Sequence, residues 1–404
     1  MTTHLIPKDW SEYQISDFGA VNPSQLSGKT DDNFSFFYID LSMVNNGNVE
    51  VPKLKVKFSE SPSRARRLLK NGDVIMSTVR PNLCGHAQIT PEKNDWVCST
   101  GFAVIRPQIL QDQPYIYHYL FSNHIHSQIN CLIAGSNYPS INASEVEQLL
   151  IFAPNTSVER SEISKTLSNW DRAIDLTDRL IAAKQARCTW LMKQLLTGVH
   201  RAPDFSKSWT TRRMSELVEP VKRVVQKPTE PYKALGIRSH CKGTFERFVN
   251  DPASVDMEEL YVAKTGDLIV NITFAWEGAI AFVPKEHDGN LVSHRFPTYR
   301  LKESVVDPEF MRYVVTQQRF LFTLVLISPG GAGRNRVMSK RDFLDIEVSV
   351  PCLEEQRIIG TLLNLADEEI ALLSQQLDAV REQKKGLMQQ LLTGKKRVVF
   401  SKEE

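Results

Sequence analysis

Two stretches of the chain carry apolar residues at alternating steps of four and three positions. Of ten such positions, eight are apolar in the first stretch and nine in the second. A seven-residue apolar repeat held over several turns is typical of a coiled-coil seam, so each stretch is predicted to form a long helix. The seam of the first helix includes Ile163, Leu167, Trp170, Ile174, Ile181, Leu191 and Leu195, and that of the second includes Ile359, Leu363, Ile370, Leu377, Leu387 and Leu391.

Proline and glycine mark the ends of both predicted helices. Pro154 and Pro351 precede them, and Gly198 and Gly394 follow them. Each helix has about 40 residues and is therefore roughly 60 Å long. Neither can bury its apolar stripe alone, so we expect the two to pair as one antiparallel coiled coil. The alternative is that each helix packs separately on its own globular domain.

The chain is an internal duplicate. The string Gln-Leu-Leu-Thr-Gly occurs at residues 194–198 and again at 390–394, and shorter strings such as Gly72-Asp73 and Gly266-Asp267 match as well. The offsets drift slightly, which indicates insertions in loops. A duplicated unit can close on itself with approximate twofold symmetry. The predicted domains are a first globular domain at 1–153, a first long helix at 154–199, a second globular domain at 200–350, and a second long helix with its tail at 351–404.

The globular segments are predicted to contain both strands and helices. Runs rich in β-forming residues follow a glycine turn at 73–79 and 267–273, and helical stretches at 115–125 and 310–322 interleave with them. Each segment is therefore predicted to be an α+β domain.

Composition narrows the class of protein. No stretch approaches the roughly 18 apolar residues of a membrane helix, and residues 1–10 do not resemble a secretion signal, so we expect a cytoplasmic protein. The six cysteines are scattered, without a CxxC pair, which argues against a disulfide framework or a structural zinc site. Residues 1–154 carry 12 Lys and Arg against 14 Asp and Glu, and residues 209–350 carry 20 against 18. This near balance lacks the basic excess usual for nucleic-acid binding, so a DNA function must depend on local patches or on charge from a partner.

Several strings resemble a known family. The string at residues 72–82 is similar to its "GD-apolar-apolar-S-T-x-R" strand, and the string at 135–142 is similar to its "GS-x-x-P-x-I" loop. The helix endings are similar too, and their double occurrence in the same order identifies the chain as similar to the specificity subunits of type I restriction-modification systems. The second half departs from the pattern at 271–274 and 330–336, as expected if the two domains read different DNA sequences.

The resemblance implies a DNA-recognition subunit without catalytic activity. It implies a bipartite target with one half-site per domain, two modification subunits docked on the helices, and restriction subunits. No cofactor is expected in this chain, whereas S-adenosylmethionine, ATP and Mg are expected on the partner subunits. Two alternatives remain: a two-headed scaffold that binds proteins, and the recognition part of a fused restriction-methylation enzyme. The second would need a methylation motif, and none is visible.

Base edges and phosphates are contacted mainly by Arg, Lys, Asn and hydroxyl side chains on loops. The first-domain candidates are Arg64, Arg66, Arg80, Asn82, Ser136, Asn137 and Tyr138. The second-domain candidates are Lys242, Arg295, Arg334, Asn335, Arg336 and Lys340. The glycines of residues 330–333 would let this last loop approach DNA closely, so Arg334 is the preferred base-reading residue.

Other motifs are weaker. Residues 27–30 resemble the end of a phosphate-binding loop, but its upstream glycine is replaced by Pro23. His124 and His126 would lie on different faces of a helix, which disfavours a metal site. The E-x-K spacing at 382–384 lies inside the predicted coiled coil and is interpreted as ordinary helix surface.

Overall fold

The computed structural model describes residues 7–89, 95–133, 139–202, 204–330 and 336–398. The chain divides into two compact units. Unit 1 comprises Met1–Arg179 with Gln375–Glu404, and unit 2 comprises Leu180–Ser374. Each unit therefore contains one globular part and one portion of each long helix.

Unit 1 mixes short strands with helices. Its strands are β1 (Trp10–Gln14), β2 (Gly19–Val21), β3 (Ser35–Ile39), β4 (Val44–Asn45), β5 (Asn48–Val49), β6 (Val56–Lys57), β7 (Ala65–Leu69), β8 (Val74–Ser77), β9 (His86–Gln88), β10 (Trp96–Ser99), β11 (Phe102–Pro107) and β12 (Leu150–Pro154). Its helices are α1 (Ile15–Phe18), α2 (Gln113–Leu120), α3 (Asn123–Ile133), α4 (Ala143–Glu147) and the start of α5 (Ser157–Leu195).

Unit 2 repeats this order. Its strands are β13 (Thr210–Arg213), β14 (Val218–Val221), β15 (Val224–Gln226), β16 (Tyr232–Ile237), β17 (Thr244–Val249), β18 (Glu259–Val262), β19 (Leu268–Val270), β20 (Ile280–Phe282), β21 (Leu291–Val292), β22 (Thr298–Leu301) and β23 (Glu347–Val350). Its helices are α6 (Met214–Leu217), α7 (Pro308–Val314), α8 (Gln318–Leu326), α9 (Lys340–Leu344) and the start of α10 (Leu353–Leu392).

The two units have closely similar sheet topologies, and the second sheet of unit 2 has one additional edge strand. Unit 1 has sheets ordered β2-β11-β8-β9 and β6-β3-β10-β7, with β1 paired to β12. Unit 2 has sheets ordered β14-β22-β19-β20 and β15-β18-β21-β16-β17, with β13 paired to β23. Each second sheet contains one parallel pair, β3 with β10 and β16 with β21. The predicted α+β class and the internal repeat are confirmed.

The repeated Gly-Asp string starts the central strand of each first sheet. Gly72 and Gly266 adopt positive φ angles of 88° and 82°, which glycine tolerates because it has no Cβ. Asp73 then accepts a backbone N–H bond from Lys70 at 2.7 Å and a two-point guanidinium contact from Arg106 at 2.7 and 2.8 Å. The string thus closes a tight turn, and Arg106 neutralises the buried carboxylate of Asp73.

The predicted helical stretches at 115–125 and 310–322 are helical, and each spans parts of two consecutive helices. In unit 1, α2 ends at Leu120 and the Ser122 hydroxyl accepts the N–H of Ile125 near the start of α3. In unit 2, α8 begins after Gln317, whose backbone is extended. A side-chain cap or an extended residue inside an apolar stretch interrupts a helix without changing the apolar period.

Candidate nucleic-acid interface

In unit 1, the strand β8 leads into an exposed turn at residues 80–84. A three-residue 3-10 helix, Pro81–Leu83, lies between Arg80 and Cys84, which both adopt the left-handed conformation with φ of 49° and 54°. Arg80, Asn82 and Leu83 are exposed. The predicted residues Arg80 and Asn82 therefore point outward from one short turn.

Neighbouring segments hold this turn in place. The N–H of Arg80 donates to the carbonyl of Pro139 at 2.8 Å, and the N–H of Ile141 donates to Thr78 at 2.9 Å. The N–H of Thr78 donates to Gly101 at 2.8 Å. The two strings that carry the family resemblance in the first half thus lie side by side. Ser136, Asn137 and Tyr138, which precede Pro139, lie outside the described residues.

Arg64 and Arg66 differ in their surroundings. Arg64 is exposed, and its carbonyl accepts the N–H of Thr100, beside the segment that anchors the turn. Arg66 donates to the carbonyl of Ala65 at 2.9 Å and lies 4.8 Å over the ring of Phe58. Arg64 therefore lies next to a segment that anchors the exposed turn, whereas the guanidinium of Arg66 packs on Phe58.

Unit 2 builds the same arrangement after β19. The N–H of Ile272 donates to Arg295 at 3.0 Å, and the N–H of Met338 donates to Ile272 at 2.9 Å. The 3-10 helix Ala275–Glu277 is closed by Gly278, which is left-handed with φ of 72°. These contacts reproduce, position by position, the contacts of Thr78 in unit 1.

The segments that carry three predicted basic residues meet at this second turn. The hairpin that carries Lys242 donates from the N–H of Cys241 to the carbonyl of Gly278 at 2.9 Å. The backbone of Arg295 contacts Ile272, and the guanidinium of Arg336 lies 5.2 Å from the ring centre of Trp276.

The other second-domain candidates lie near the same turn or outside the structure. Lys340 is exposed at the first position of α9, two residues after Met338. Arg334 and Asn335 lie outside the described residues, so the preferred base-reading residue is untested. Trp276 was missed because a half-buried tryptophan in a turn has no sequence signature.

The two long helices run antiparallel within each unit. In unit 1, Arg381 of α10 contacts Asp178 of α5 at 2.9 Å, and Lys384 pairs with Asp171. In unit 2, Lys184 pairs with Glu369 at 2.5 Å. The predicted seam residues are all buried or half-buried; those below one-tenth exposure are Ile163, Leu167, Ile181, Leu195, Ile359, Leu363, Leu377 and Leu391.

An aspartate joins the globular part to both helices in each unit. Asp171 pairs with Lys384 and lies 3.6 Å from Nδ1 of His118, a buried residue of α2. Burial and, to a smaller extent, the charge of Lys384 lower the pKa of His118 to about 3. Its imidazole is therefore neutral at ordinary pH, and its Nε2 lies 3.0 Å from the hydroxyl of Ser168.

Asp367 occupies the repeat position of Asp171 in unit 2. It accepts from the hydroxyl of Tyr313 at 2.8 Å and from the thiol of Cys188 at 3.5 Å. Burial and the charge of Asp367 raise the pKa of Cys188 to about 11, so the thiol stays protonated and can donate. The same aspartate position thus links the globular part to the helices in both units, but its side-chain partners differ.

Each long helix is followed by an arginine that contacts the start of the other helix. Arg201, three residues after Gly198, donates twice at 2.7 Å to the buried carboxylate of Glu355 in unit 2. Arg397, three residues after Gly394, makes the equivalent contact with Glu159 in unit 1 and also pairs with Asp9 at 2.6 Å. Sequence reasoning missed this pair of contacts, although the matching Gly-x-x-Arg spacing could have revealed it.

The described residues contain neither a candidate metal site nor a candidate membrane-spanning helix. Within the described ranges, no three His, Cys, Asp or Glu side chains are grouped so that they could hold a metal ion. Among the helices of the same residues, none is both long and apolar enough to cross a membrane.

Comparisons with known proteins agree with the geometry. Residues 7–183 match the family described as type I restriction modification DNA specificity domain. The putative type I restriction enzyme MjaX specificity subunit of Methanocaldococcus jannaschii is 22% identical over 414 residues, covering 97% of this chain and 95% of that protein. The HindI specificity subunit of Haemophilus influenzae is 23% identical over 43% of this chain and 37% of its own length.

Solved structures share the fold. The HsdS subunit from Thermoanaerobacter tengcongensis has a TM-score of 0.54 at 21% identity, covering 97% of this chain and 99% of its own. The type I restriction-modification S subunit from M. genitalium has a TM-score of 0.56 at 12% identity, covering 99% of both chains. At these identities the likeness concerns the fold alone.

Proposed function

Because the chain belongs to the type I restriction-modification DNA specificity family, we propose that it reads a bipartite DNA target, with one half-site per unit. The observation that carries this proposal is the repeated turn after β8 and β19, which is exposed in unit 1 and half-buried in unit 2. In both units the residue that precedes the turn, Thr78 or Ile272, makes the same two backbone bonds, but the side chains of the turns differ. A shared scaffold with different exposed groups is what two readers of different sequences require.

The chain is a specificity subunit and not the catalytic one. Methyl transfer and cleavage therefore belong to partner subunits, which would carry S-adenosylmethionine, ATP and Mg. Modification and restriction subunits are the partners that this family membership implies. Each unit contains a portion of the antiparallel helix pair, so two modification subunits could dock, one on each portion.

One face of α10 is suited to docking such a partner. Ile358, Leu362, Leu365 and Leu372 follow steps of four, three and seven, and are 38%, 46%, 55% and 58% exposed. This spacing is that of a coiled-coil seam, so the partner surface would be an apolar helix. At the repeat positions of the first three, α5 carries Glu162, Thr166 and Asn169, which favours unequal docking in the two units.

The low net charge of the chain indicates that its DNA binding depends on a partner subunit. The formal net charge is +2 over 404 residues, which gives little long-range attraction to a polyanion. Phosphate contacts from modification subunits would supply the missing affinity. The isolated chain should therefore bind DNA weakly and without the selectivity of the assembled complex.

The test is methylation mapping of unmethylated DNA exposed to the chain together with its modification subunits. We expect one motif made of two short half-sites and a fixed gap. A contiguous motif, or no methylation that depends on this chain, would overturn the proposal. Lengthening both long helices by one turn should change the gap and leave both half-sites unchanged.

A further inference from the structure

The turns that follow β8 and β19 occupy equivalent positions in the two units. Residues 80–84 and 274–278 lie at the same point after the central strand of the first sheet in their units. Each contains a three-residue 3-10 helix closed by a left-handed residue, Cys84 or Gly278. Asn82 and Trp276 occupy the same middle position.

The backbone of each turn is fixed from both sides. In unit 1, Thr78 bonds to Gly101 and Ile141, and Arg80 bonds to Pro139, at 2.8–2.9 Å. In unit 2, Ile272 makes the corresponding bonds to Arg295 and Met338. A side chain on such a turn is displayed from a preorganised scaffold, so little conformational freedom is lost when it binds.

The polar groups at the two turns are available for a ligand. Asn82 is exposed, and no described residue forms a hydrogen bond with its side-chain amide. In unit 2, the equivalent Trp276 donates from Nε1 to the carbonyl of Thr273 at 3.2 Å, and the guanidinium of Arg336 lies over its ring. Across the described part of unit 2, no carboxylate forms an ion pair with Arg336.

The chemistry of these groups selects different bases. An asparagine amide matches the N6 and N7 edge of adenine in the major groove, and a guanidinium matches the O6 and N7 edge of guanine. We propose that this turn carries or holds the base-reading side chain of each unit. In unit 1, Asn82 on the turn reads an adenine of the first half-site. In unit 2, Arg336, held by Trp276 of the turn, reads a guanine of the second half-site. This inference rests on the proposed bipartite recognition and names its chemistry.

The first test uses the complex of the chain with its modification subunits. Asn82→Ala should lower discrimination at one adenine position of the first half-site by roughly 10- to 100-fold and leave the second half-site unchanged. The matched control is Asn71→Ala, because Asn71 is also exposed but lies before β8, at the opposite end of the strand. The control should keep the wild-type motif.

The second test concerns unit 2. Arg336→Ala should relax one guanine position of the second half-site only, and Arg247→Ala, at an exposed position on β17, should relax none. Trp276→Ala should relax the same guanine position as Arg336→Ala, whereas Trp276→Phe should restore it because a phenyl ring also supports a guanidinium. Rescue by phenylalanine separates positioning of Arg336 from a general loss of stability.

Modified DNA keeps the test independent of protein folding. Replacing the assigned adenine by 7-deazaadenine removes the N7 acceptor, so binding of the wild-type complex should weaken while binding of the Asn82→Ala complex should not. The same holds for 7-deazaguanine with Arg336→Ala. A bipartite wild-type motif that is unchanged by both substitutions would overturn this inference alone. Absence of a bipartite motif in the wild type would overturn the proposed function itself.

Discussion

Replacing Asp112 by alanine should strongly destabilise unit 1. Asp112 precedes α2 and accepts two bonds, at 2.7 and 2.9 Å, from Arg160 in the first turns of α5. Their side chains are only 4% and 9% exposed. Arg160 also donates to the carbonyl of Pro154 at 2.8 Å, but its only paired carboxylate among the described residues is Asp112. Removing one partner of a buried ion pair typically costs about 3–5 kcal/mol because the other charge remains buried.

Unit 2 provides the internal comparison. Gln356 stands at the repeat position of Arg160 and makes neutral bonds to the carbonyls of Val305 and Pro351 at 3.1 and 2.9 Å. The double variant Asp112→Ala with Arg160→Gln should therefore be more stable than Asp112→Ala alone, since no charge is left buried. This result would show that the cost comes from the orphaned guanidinium and not from lost packing.

Thermal unfolding followed by hydrogen exchange in α2 and α5 would measure the effect. With about 2–4 °C per kcal/mol for a unit of this size, the expected drop in midpoint is roughly 6–20 °C. A loss below about 1 kcal/mol, or a double variant less stable than the single one, would refute the reasoning.

Three further changes test other parts of the structure. Burial lowers the pKa of His86 to about 3, so the unfolded chain binds a proton first; below pH 6.5 this residue should cost about 1.4 kcal/mol of stability per pH unit, and in acid unfolding curves His86→Leu should remove that contribution while the one from buried His118 remains. Ile174→Asp with Ile370→Asp should place charge in the half-buried seam and lower the thermal midpoint by several degrees or more, and an unchanged midpoint would contradict the coiled coil. Leu365→Asp should weaken binding of a modification subunit in titration calorimetry without lowering the thermal midpoint, because Leu365 is exposed.

The long helices and the repeat could be predicted because their signals are periodic. Each seam extends over many turns, so single exceptions such as Lys184 do not obscure it, and a glycine with φ near 70° ends each helix. The Gly-Asp strings predicted the central strands for a similar reason, since both residues have a fixed task in a tight turn.

The exposed turns could be predicted only in part. Arg80 and Asn82 were selected by residue type, but nothing in the sequence predicts that Arg80 and Cys84 adopt a left-handed backbone, which usually requires glycine. The contacts of Trp276 with Arg336 depend on tertiary packing between segments 60 residues apart. Likewise, sequence periodicity could not show that the compact units each include portions of both helices.

The central claim is that each unit reads its own half-site. Its most direct test is to exchange residues 200–350 for the corresponding segment of a relative and to map methylation by the assembled complex. The account predicts that the second half-site changes while the first half-site and the gap persist. A change in both half-sites, or in neither, would contradict it.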